Sequence, residues 1–326
     1  MRMSRVLACA IVVLAALPAF AQSVISTGTM SEAVNVGYVM IPFTAIGDHG
    51  KPITDLRDAE FDLMVDGSPV RSDMFEKSQN APVSFTILLD GSGSMALAGK
   101  MDSARAAIGA LIAHHRPGDD FALYVFAESK AIEVVPFTEK PAEITNALAK
   151  VKPYGKTAFF DALATMPERS KLGRNPSRAI ILLSDGIDNA SSITRGALAQ
   201  QLQGISVPIY SLGLREPADP IDNRNHPRED LSDIGLLNEV ASLTGGKLYL
   251  GNTPQQIAEA VSHVEDDLRA QYLIGFAPTG KGAVKYRTIS LKLNGRARAV
   301  RVRAGYLGTE PPLVAARNKH TERKRS

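Results

Sequence analysis

Residues 86–96 read TILLDGSGSMA: an uninterrupted apolar run that ends on Asp90, followed by glycines and serines at alternate positions. A second run, AIILLSDG at 179–186, ends in the same way on Asp185. Strands that are buried on both faces of a parallel sheet have such continuous apolar sequences. Ligands of these sheets bind outside the carboxyl ends of the strands. Both aspartates therefore lie where a binding site is expected.

Strand-like and helix-like segments alternate from Ser84 to about Gln271. The segment MDSARAAIGALIAHH, for example, carries Ala104, Ile108 and Leu111 at helical spacing, and the strand-like FALYVFAE follows it. Such alternation is typical of an α/β fold with a doubly wound, mostly parallel sheet. We predict this fold for the middle of the chain.

The two flanks have a different pattern, in which short strand-like segments are separated by turn signals. In the later flank, Ile289, Leu291 and Leu293 would lie on one face of a strand. Because each flank has too few strands to be stable alone, we predict that residues 34–77 and 272–307 form one β-sandwich-like domain with the α/β domain inserted between them. The predicted boundaries are: signal peptide 1–21, N-terminal β segment 22–81, α/β domain 82–268, C-terminal β segment 269–310 and basic tail 311–326.

The first 21 residues have the layout of a secretory signal. Arg2 and Arg5 precede an apolar stretch, and Ala19 and Ala21 form an A-x-A cleavage site. The apolar stretch is shorter than the roughly 20 residues of a membrane-spanning helix, which makes an uncleaved anchor the weaker alternative. We predict a secreted or periplasmic protein that starts at Gln22 and has no transmembrane segment. Its single cysteine, Cys9, would be lost with the leader, which excludes thiol catalysis and thiolate metal sites.

The formal net charge is +3, and the last ten residues, RNKHTERKRS, hold five cationic residues against one glutamate, which exceeds that whole net charge. We expect this tail to be solvated and disordered, with at most a weak electrostatic contact to an acidic envelope surface. A basic groove interleaved with aromatic residues is absent from the sequence, so nucleic-acid binding is not predicted.

Oxygen-bearing side chains follow three predicted strand or loop ends. Ser92 and Ser94 follow Asp90 in one turn, Thr157 in GKTAFFDA precedes a helix, and Asp185 ends the later strand. Hydroxyl and carboxylate oxygens are hard donors that suit Mg²⁺, Mn²⁺ or Ca²⁺. Taken singly, each residue could be a helix cap or a turn residue, but their convergence favours a metal site.

These five positions resemble the metal-ion-dependent adhesion site of the von Willebrand factor type A family, which consists of Asp-x-Ser-x-Ser, a distant Thr and a distant Asp. The resemblance covers about residues 82–268. It implies that Ser92 and Ser94 bind the metal directly, Thr157 directly in the ligand-competent form, and Asp90 and Asp185 largely through water. The flanks are similar to those of a bacterial, secreted subfamily of these proteins.

Three enzyme-like interpretations fit less well. The GSGSMA turn matches a dinucleotide-binding pattern, but Asp90 would repel a pyrophosphate. The GKT at 155–157 lacks the earlier glycine of a phosphate-binding loop, because Lys150 stands there. A magnesium-dependent phosphatase or phosphotransferase using Asp90 would need a general acid two residues later, where Ser92 cannot serve at neutral pH. We therefore predict that the protein is not an enzyme.

The predicted function is that of a metal-dependent protein-binding or adhesion module. Uncharged direct ligands would leave the metal much of its positive charge, and the resemblance implies a partner that supplies an Asp or Glu carboxylate. The segments 215–233 and DNASSITR, which includes Arg195, would then select the partner. A structural envelope protein with an idle metal site remains the alternative.

Overall fold

The structure is a computed structural model that describes residues 38–78, 81–215, 233–293 and 297–313. Several parts of the chain lie outside these residues. They are the predicted signal peptide with Cys9, the predicted start at Gln22, residues 216–232 of the segment 215–233, and residues 314–326 of the basic tail. The described β-strands are β1 Val39–Ile46, β2 Phe61–Val65, β3 Ser68–Pro69, β4 Met74–Lys77, β5 Val83–Asp90, β6 Asp120–Phe126, β7 Ile132–Thr138, β8 Ser177–Ser184, β9 Ile209–Leu214, β10 Leu248–Gly251, β11 Tyr272–Phe276, β12 Lys285–Leu293, β13 Ala299–Val302 and β14 Gly305–Gly308. The described α-helices are α1 Lys100–Ala113, α2 Pro141–Leu148, α3 Phe159–Ala164, α4 Met166–Ser170, α5 Arg195–Leu202, α6 Asp233–Thr244 and α7 Pro254–Arg269.

The middle of the chain forms a six-stranded sheet in the order β10-β9-β8-β5-β6-β7. Its strands are parallel except for β7, which lies antiparallel to β6 at one edge. One face packs against α1, α2 and α7, and the other against α3 to α6. Because both faces are covered, every residue of the central strand β5 is buried. The predicted doubly wound α/β fold is confirmed.

The two flanks pair with each other in two antiparallel four-stranded sheets. Their orders are β13-β1-β11-β4 and β14-β12-β2-β3, so each sheet takes strands from both ends of the chain. Apolar side chains of both sheets form a common core, in which the rings of Phe43 and Phe61 lie 5.6 Å apart and those of Phe43 and Tyr272 lie 5.4 Å apart. The predicted β-sandwich is therefore present, and the α/β domain is inserted between β4 and β11.

The segment AVRVRAGYL, residues 299–307, is divided between β13 and β14, which belong to different sheets. The guanidinium of Arg303, buried at the break, donates hydrogen bonds to the carbonyls of Met40 and Ile205. At Gly305 a Cβ would lie 2.3 Å from the carbonyl oxygen of Arg287, so only glycine fits. The change of sheet thus depends on contacts that the local pattern does not contain.

None of the described helices is long and apolar enough to cross a membrane.

Candidate metal centre

Asp90 lies buried at the carboxyl end of β5, between β6 and β8. Its Oδ1 accepts a hydrogen bond from the backbone N–H of Ser92 at 2.9 Å, and its Oδ2 accepts one from the hydroxyl of Ser184 at 2.7 Å. Burial raises the pKa of Asp90 to about 6, hydrogen bonds from Ser184 and Ser92 lower it in part, and the nearby charge of Asp185 raises it further. The ionised carboxylate is therefore incompletely compensated, and a cation beside it would be stabilising.

Ser92 and Ser94 belong to the turn that leaves β5, where Gly93–Ala96 form a short 3₁₀ helix. Ser92 is buried, and its Oγ lies 3.1 Å from that of Ser94. The turn is tight at Gly91, because a Cβ there would lie 2.7 Å from Cγ1 of Val125. The two hydroxyls thus lie side by side on a rigid turn.

Thr157 is buried in the loop between α2 and α3, and two neighbouring loops hold this loop in place. Its N–H donates to Oδ1 of Asn189 at 2.8 Å, and its carbonyl accepts the N–H groups of Asn189 and Ala190, each at 3.0 Å. The same loop meets the turn after β5, because Gly93 N–H donates to the Gly155 carbonyl at 3.0 Å. Three loops of the sheet edge are therefore hydrogen-bonded into one unit.

Asp185, at the end of β8, forms an ion pair that the sequence did not indicate. The ammonium of Lys100, the first residue of α1, donates to its Oδ2 at 3.0 Å, and both side chains are at least nine-tenths buried. A cation at a helix N-terminus opposes the helix dipole. The Asp185 carboxylate therefore offsets the unfavourable position of the Lys100 ammonium at the start of α1.

Asp233, the first residue of α6, is a third carboxylate near this centre. Burial and the charge of Asp185 raise its pKa, while Lys100 lowers it. The backbones also meet, because a Cβ on Gly186, whose φ is +85°, would lie 2.5 Å from the Asp233 carbonyl oxygen. Asp233 ends the long segment 215–233, so this end of the segment does reach the candidate site.

Several residues that position these loops were not predicted from the sequence. Asp188 accepts the N–H of Phe159 at 2.8 Å, and Asp161 accepts the N–H groups of Ser192 and Ile193 at 2.9 and 3.0 Å. These bonds attach α3, which follows Thr157, to the loop that follows Asp185. The polar run DNASS after the strand was the available signal for these hydrogen bonds. Polar loops are too common, however, for such a run to identify the hydrogen-bond partners.

The donor set suits a hard divalent cation in most respects. Three hydroxyls and two carboxylates belong to hydrogen-bonded loops, and hard oxygens are what Mg²⁺ and Ca²⁺ take. Within the described ranges, no three or more His, Cys, Asp or Glu side chains are grouped to hold a metal. A metal here would therefore depend on Ser92, Ser94 and Thr157. The Lys100 ammonium does not suit such a site, since it would repel a second cation at Asp185.

Part of the chain matches a known protein family. Residues 85–187 match the family model of the von Willebrand factor type A domain. Among solved structures, a von Willebrand factor type A protein from Catenulispora acidiphila is 15% identical, with 85% of this chain and 74% of that chain covered and a TM-score of 0.47. An aerotolerance-related membrane protein from Bacteroides fragilis is 20% identical, with 57% of this chain and 98% of that chain covered and a TM-score of 0.44. A type V pili tip protein domain from Porphyromonas gingivalis is 14% identical, with 56% and 94% covered and a TM-score of 0.41.

No curated protein sequence matches the chain significantly. The family assignment rests on the sequence match, which spans the strand that ends on Asp90, the Thr157 loop and the strand that ends next to Asp185. Residues 85–187 of this chain therefore match a von Willebrand factor type A domain.

Proposed function

We propose that the protein is an exported, non-enzymatic binding module that recognises a carboxylate of a partner protein through a divalent cation at this centre. The observation that supports the proposal is that the turn of Ser92 and Ser94, beside the buried Asp90, is hydrogen-bonded to the loop that carries Thr157. Mg²⁺ is the cation we favour, with Mn²⁺ or Ca²⁺ as alternatives.

The chain's own residues would hold the cation with little neutralisation. Ser92, Ser94 and Thr157 would supply neutral oxygens, while Asp90 and Asp185 would act largely through water. The bonds from Ser184 and Ser92 fix the Asp90 carboxylate, and the Asn189 contacts fix the Thr157 backbone. A cation takes about six oxygens, so a position would remain for a ligand from outside. When bound, the cation would supply a positive charge for an anionic oxygen.

A catalytic role has less support from the same residues. A phosphatase or phosphotransferase using Asp90 would need a proton donor two residues later, where the buried Ser92 offers only a hydroxyl and not a carboxylic acid. The nearest buried ammonium, Lys100, is engaged with Asp185. We therefore propose recognition and not catalysis.

Metal binding is the first test. In titration calorimetry on chelator-treated protein, we expect one Mg²⁺ site of modest affinity, because the direct ligands are uncharged. Asp90→Ala should weaken it at least tenfold, whereas Asp102→Ala, an exposed carboxylate on α1, should leave it unchanged. Equal affinity in the Asp90 and Asp102 variants would count against the assignment.

The partner's carboxylate is the second test. A pull-down from envelope extract, with and without chelator, should yield a partner whose capture requires the metal. Changing its acidic residues one at a time to the matching amides should then reveal one whose loss abolishes binding as fully as the chelator does. Binding that survives the chelator would show that the metal is not the contact.

A structural envelope protein with an idle site is the second candidate, and the Lys100–Asp185 ion pair favours it. A buried ammonium already neutralises one of the two carboxylates, so the centre could be stable without metal. The calorimetry separates the two candidates, because an idle site of this kind would show no Mg²⁺ binding that depends on Asp90.

A further inference from the structure

A cavity of about 410 Å³ opens beside the candidate metal centre, between the β6–β7 hairpin and the segment that follows α2. Its size is within the range of about 300–1,000 Å³ that is typical of ligand pockets. It shares a wall with the Asp90 turn: Phe126, which lines it, is the neighbour of Asp90 across the β5–β6 pairing. Tyr154, which also lines it, donates its N–H to the carbonyl of Gly91 at 2.8 Å. We call this cavity the apolar groove.

Three apolar side chains that line the groove are exposed, whereas others, such as Phe126, are buried. Ile132 and Tyr154 are each 58% exposed and Val134 is 41% exposed. Ile132 and Val134 belong to β7, the edge strand of the sheet. Leu97, in the loop that follows Ser94, is also exposed. Exposed apolar side chains that cluster at a cavity mark interaction sites, whereas single ones are ordinary.

The border of the groove is positively charged. Lys130, Lys150 and Lys152 line it together with one acidic residue, Glu128. All three lysines are exposed, and none forms an ion pair with a residue in the described part of the chain. The charge is therefore available to an acidic partner, whose approach it would favour.

We propose that the apolar groove binds a bulky apolar side chain of an acidic protein segment, a few residues from the carboxylate that the metal centre takes. This inference rests on the proposed function and names the partner's chemistry more closely. An extended chain advances about 3.3 Å per residue, and the groove begins at the strand next to Asp90. The partner therefore carries Leu, Ile, Met or an aromatic residue about two to four positions from its metal-binding acid, with further acids opposite the lysines.

The test uses fluorescein-labelled twelve-residue peptides, each with one central Asp and glutamates near both ends. In one set, each peptide carries a single Leu or Phe, placed between one and five residues from the Asp. The matched set carries Ser at the same position. Fluorescence anisotropy is measured with the full chain in Mg²⁺ and in chelator. In Mg²⁺ we expect one spacing at which the apolar peptide binds at least tenfold tighter than its Ser partner, equivalent to about 1.4 kcal/mol.

Variants of the protein test whether the preference for apolar peptides over Ser peptides arises in the groove. The double variant Ile132→Ser with Val134→Ser should remove it and leave calorimetric Mg²⁺ binding intact, since both side chains are exposed and neither belongs to the centre. Val284→Ser, which changes a 70% exposed side chain elsewhere, is the matched control and should keep the preference. Lys150→Glu with Lys152→Glu should weaken all the acidic peptides, whereas Lys285→Glu should not.

The outcomes separate this inference from the proposed function. If chelator abolishes binding but Leu, Phe and Ser peptides bind equally, the function stands and the groove inference is wrong. If the apolar preference persists and chelator has no effect, the groove does bind the apolar side chain, but the metal contact is wrong and with it the inferred spacing to a metal-bound carboxylate. The groove inference is also overturned if no peptide binds with a Kd below about 1 mM. Sedimentation could also overturn it, by showing a dimer that the Ile132 and Val134 changes dissociate. A second copy of the chain would then fill the groove.

Discussion

Lys100 and Asp185 hold an ion pair at the position where the sequence led us to expect only a metal ligand. The ammonium provides a positive charge beside a cluster that also contains Asp90 and Asp233. Since a divalent cation beside Asp185 would be repelled by this ammonium, Lys100 should lower metal affinity while it stabilises the metal-free protein. If the centre binds a metal as proposed, we expect Lys100 to couple stability to metal binding.

Lys100→Met tests this coupling. We expect Mg²⁺ affinity to rise at least tenfold, because a repelling charge is removed. Without metal the variant should be less stable by about 3–5 kcal/mol, the typical cost of leaving one member of a buried ion pair alone, and Mg²⁺ should restore much of this. Calorimetry and thermal unfolding with and without Mg²⁺ measure both effects, with Lys285→Met as the exposed control. An unchanged affinity would show that Lys100 does not oppose the metal.

At the scale of elements, the centre depends on how closely the loops at the sheet edge approach one another. Gly91 N–H donates to the Phe126 carbonyl at 2.7 Å, and Gly91 packs against Val125 with no space for a side chain. Gly109, in the middle of α1, has no atom within 4 Å of the position a Cβ would take. The two glycines therefore have opposite roles: close packing requires the first, and nothing in the packing requires the second.

Substitution of these two glycines by alanine should change stability in opposite directions. Gly91→Ala should lower the free energy of unfolding by about 1–3 kcal/mol, as overpacking does, and should also weaken Mg²⁺ binding by moving the turn that carries Ser92. Gly109→Ala should raise the free energy of unfolding by about 0.5–1 kcal/mol, because alanine loses less conformational entropy than glycine when a helix forms. Denaturant unfolding followed by circular dichroism compares them, and equal shifts would contradict this description of the Asp90 turn.

At the scale of the whole molecule, the β-sandwich joins the two ends of the described chain around the inserted α/β domain. β11 lies between β1 and β4, and Ile274 is opposite Ile41 on one side and Phe75 on the other. The helix α7 leads directly into β11, and its last residue, Arg269, donates to the carbonyl of Ala81 at 2.8 Å. The entry and exit of the α/β domain are therefore tied together.

Hydrogen exchange should show that the two flanks unfold as one unit. Ile274→Ala removes a fully buried side chain, at a typical cost of about 2–5 kcal/mol. The amides of β1 and β11 should then lose protection together, while those of β5 and β8 keep more of theirs. Val284→Ala, at an exposed position, should change neither. If β11 lost protection and β1 did not, the flanks would be independent units.

By itself, the sequence determined the α/β architecture and its order of strands and helices. Apolar runs and helical spacing are local patterns. In this chain, the pattern of each element indicates which of its faces are buried. The same reasoning located the five candidate ligands, because parallel strands bring their carboxyl ends to one edge. It also predicted that the two flanks would meet, since neither is stable alone, although it did not specify the strand order within each sheet.

The tertiary structure decided what the local pattern could not contain. The Lys100–Asp185 pair joins residues 85 positions apart, and the Ser184–Asp90 bond joins residues 94 positions apart. Which side chains meet at such separations depends on how loops pack, on buried charge and on glycine clearances of a few tenths of an ångström. The division of β13 from β14 and the apolar groove have the same origin. They arise from contacts between elements, and no periodicity along the chain encodes them.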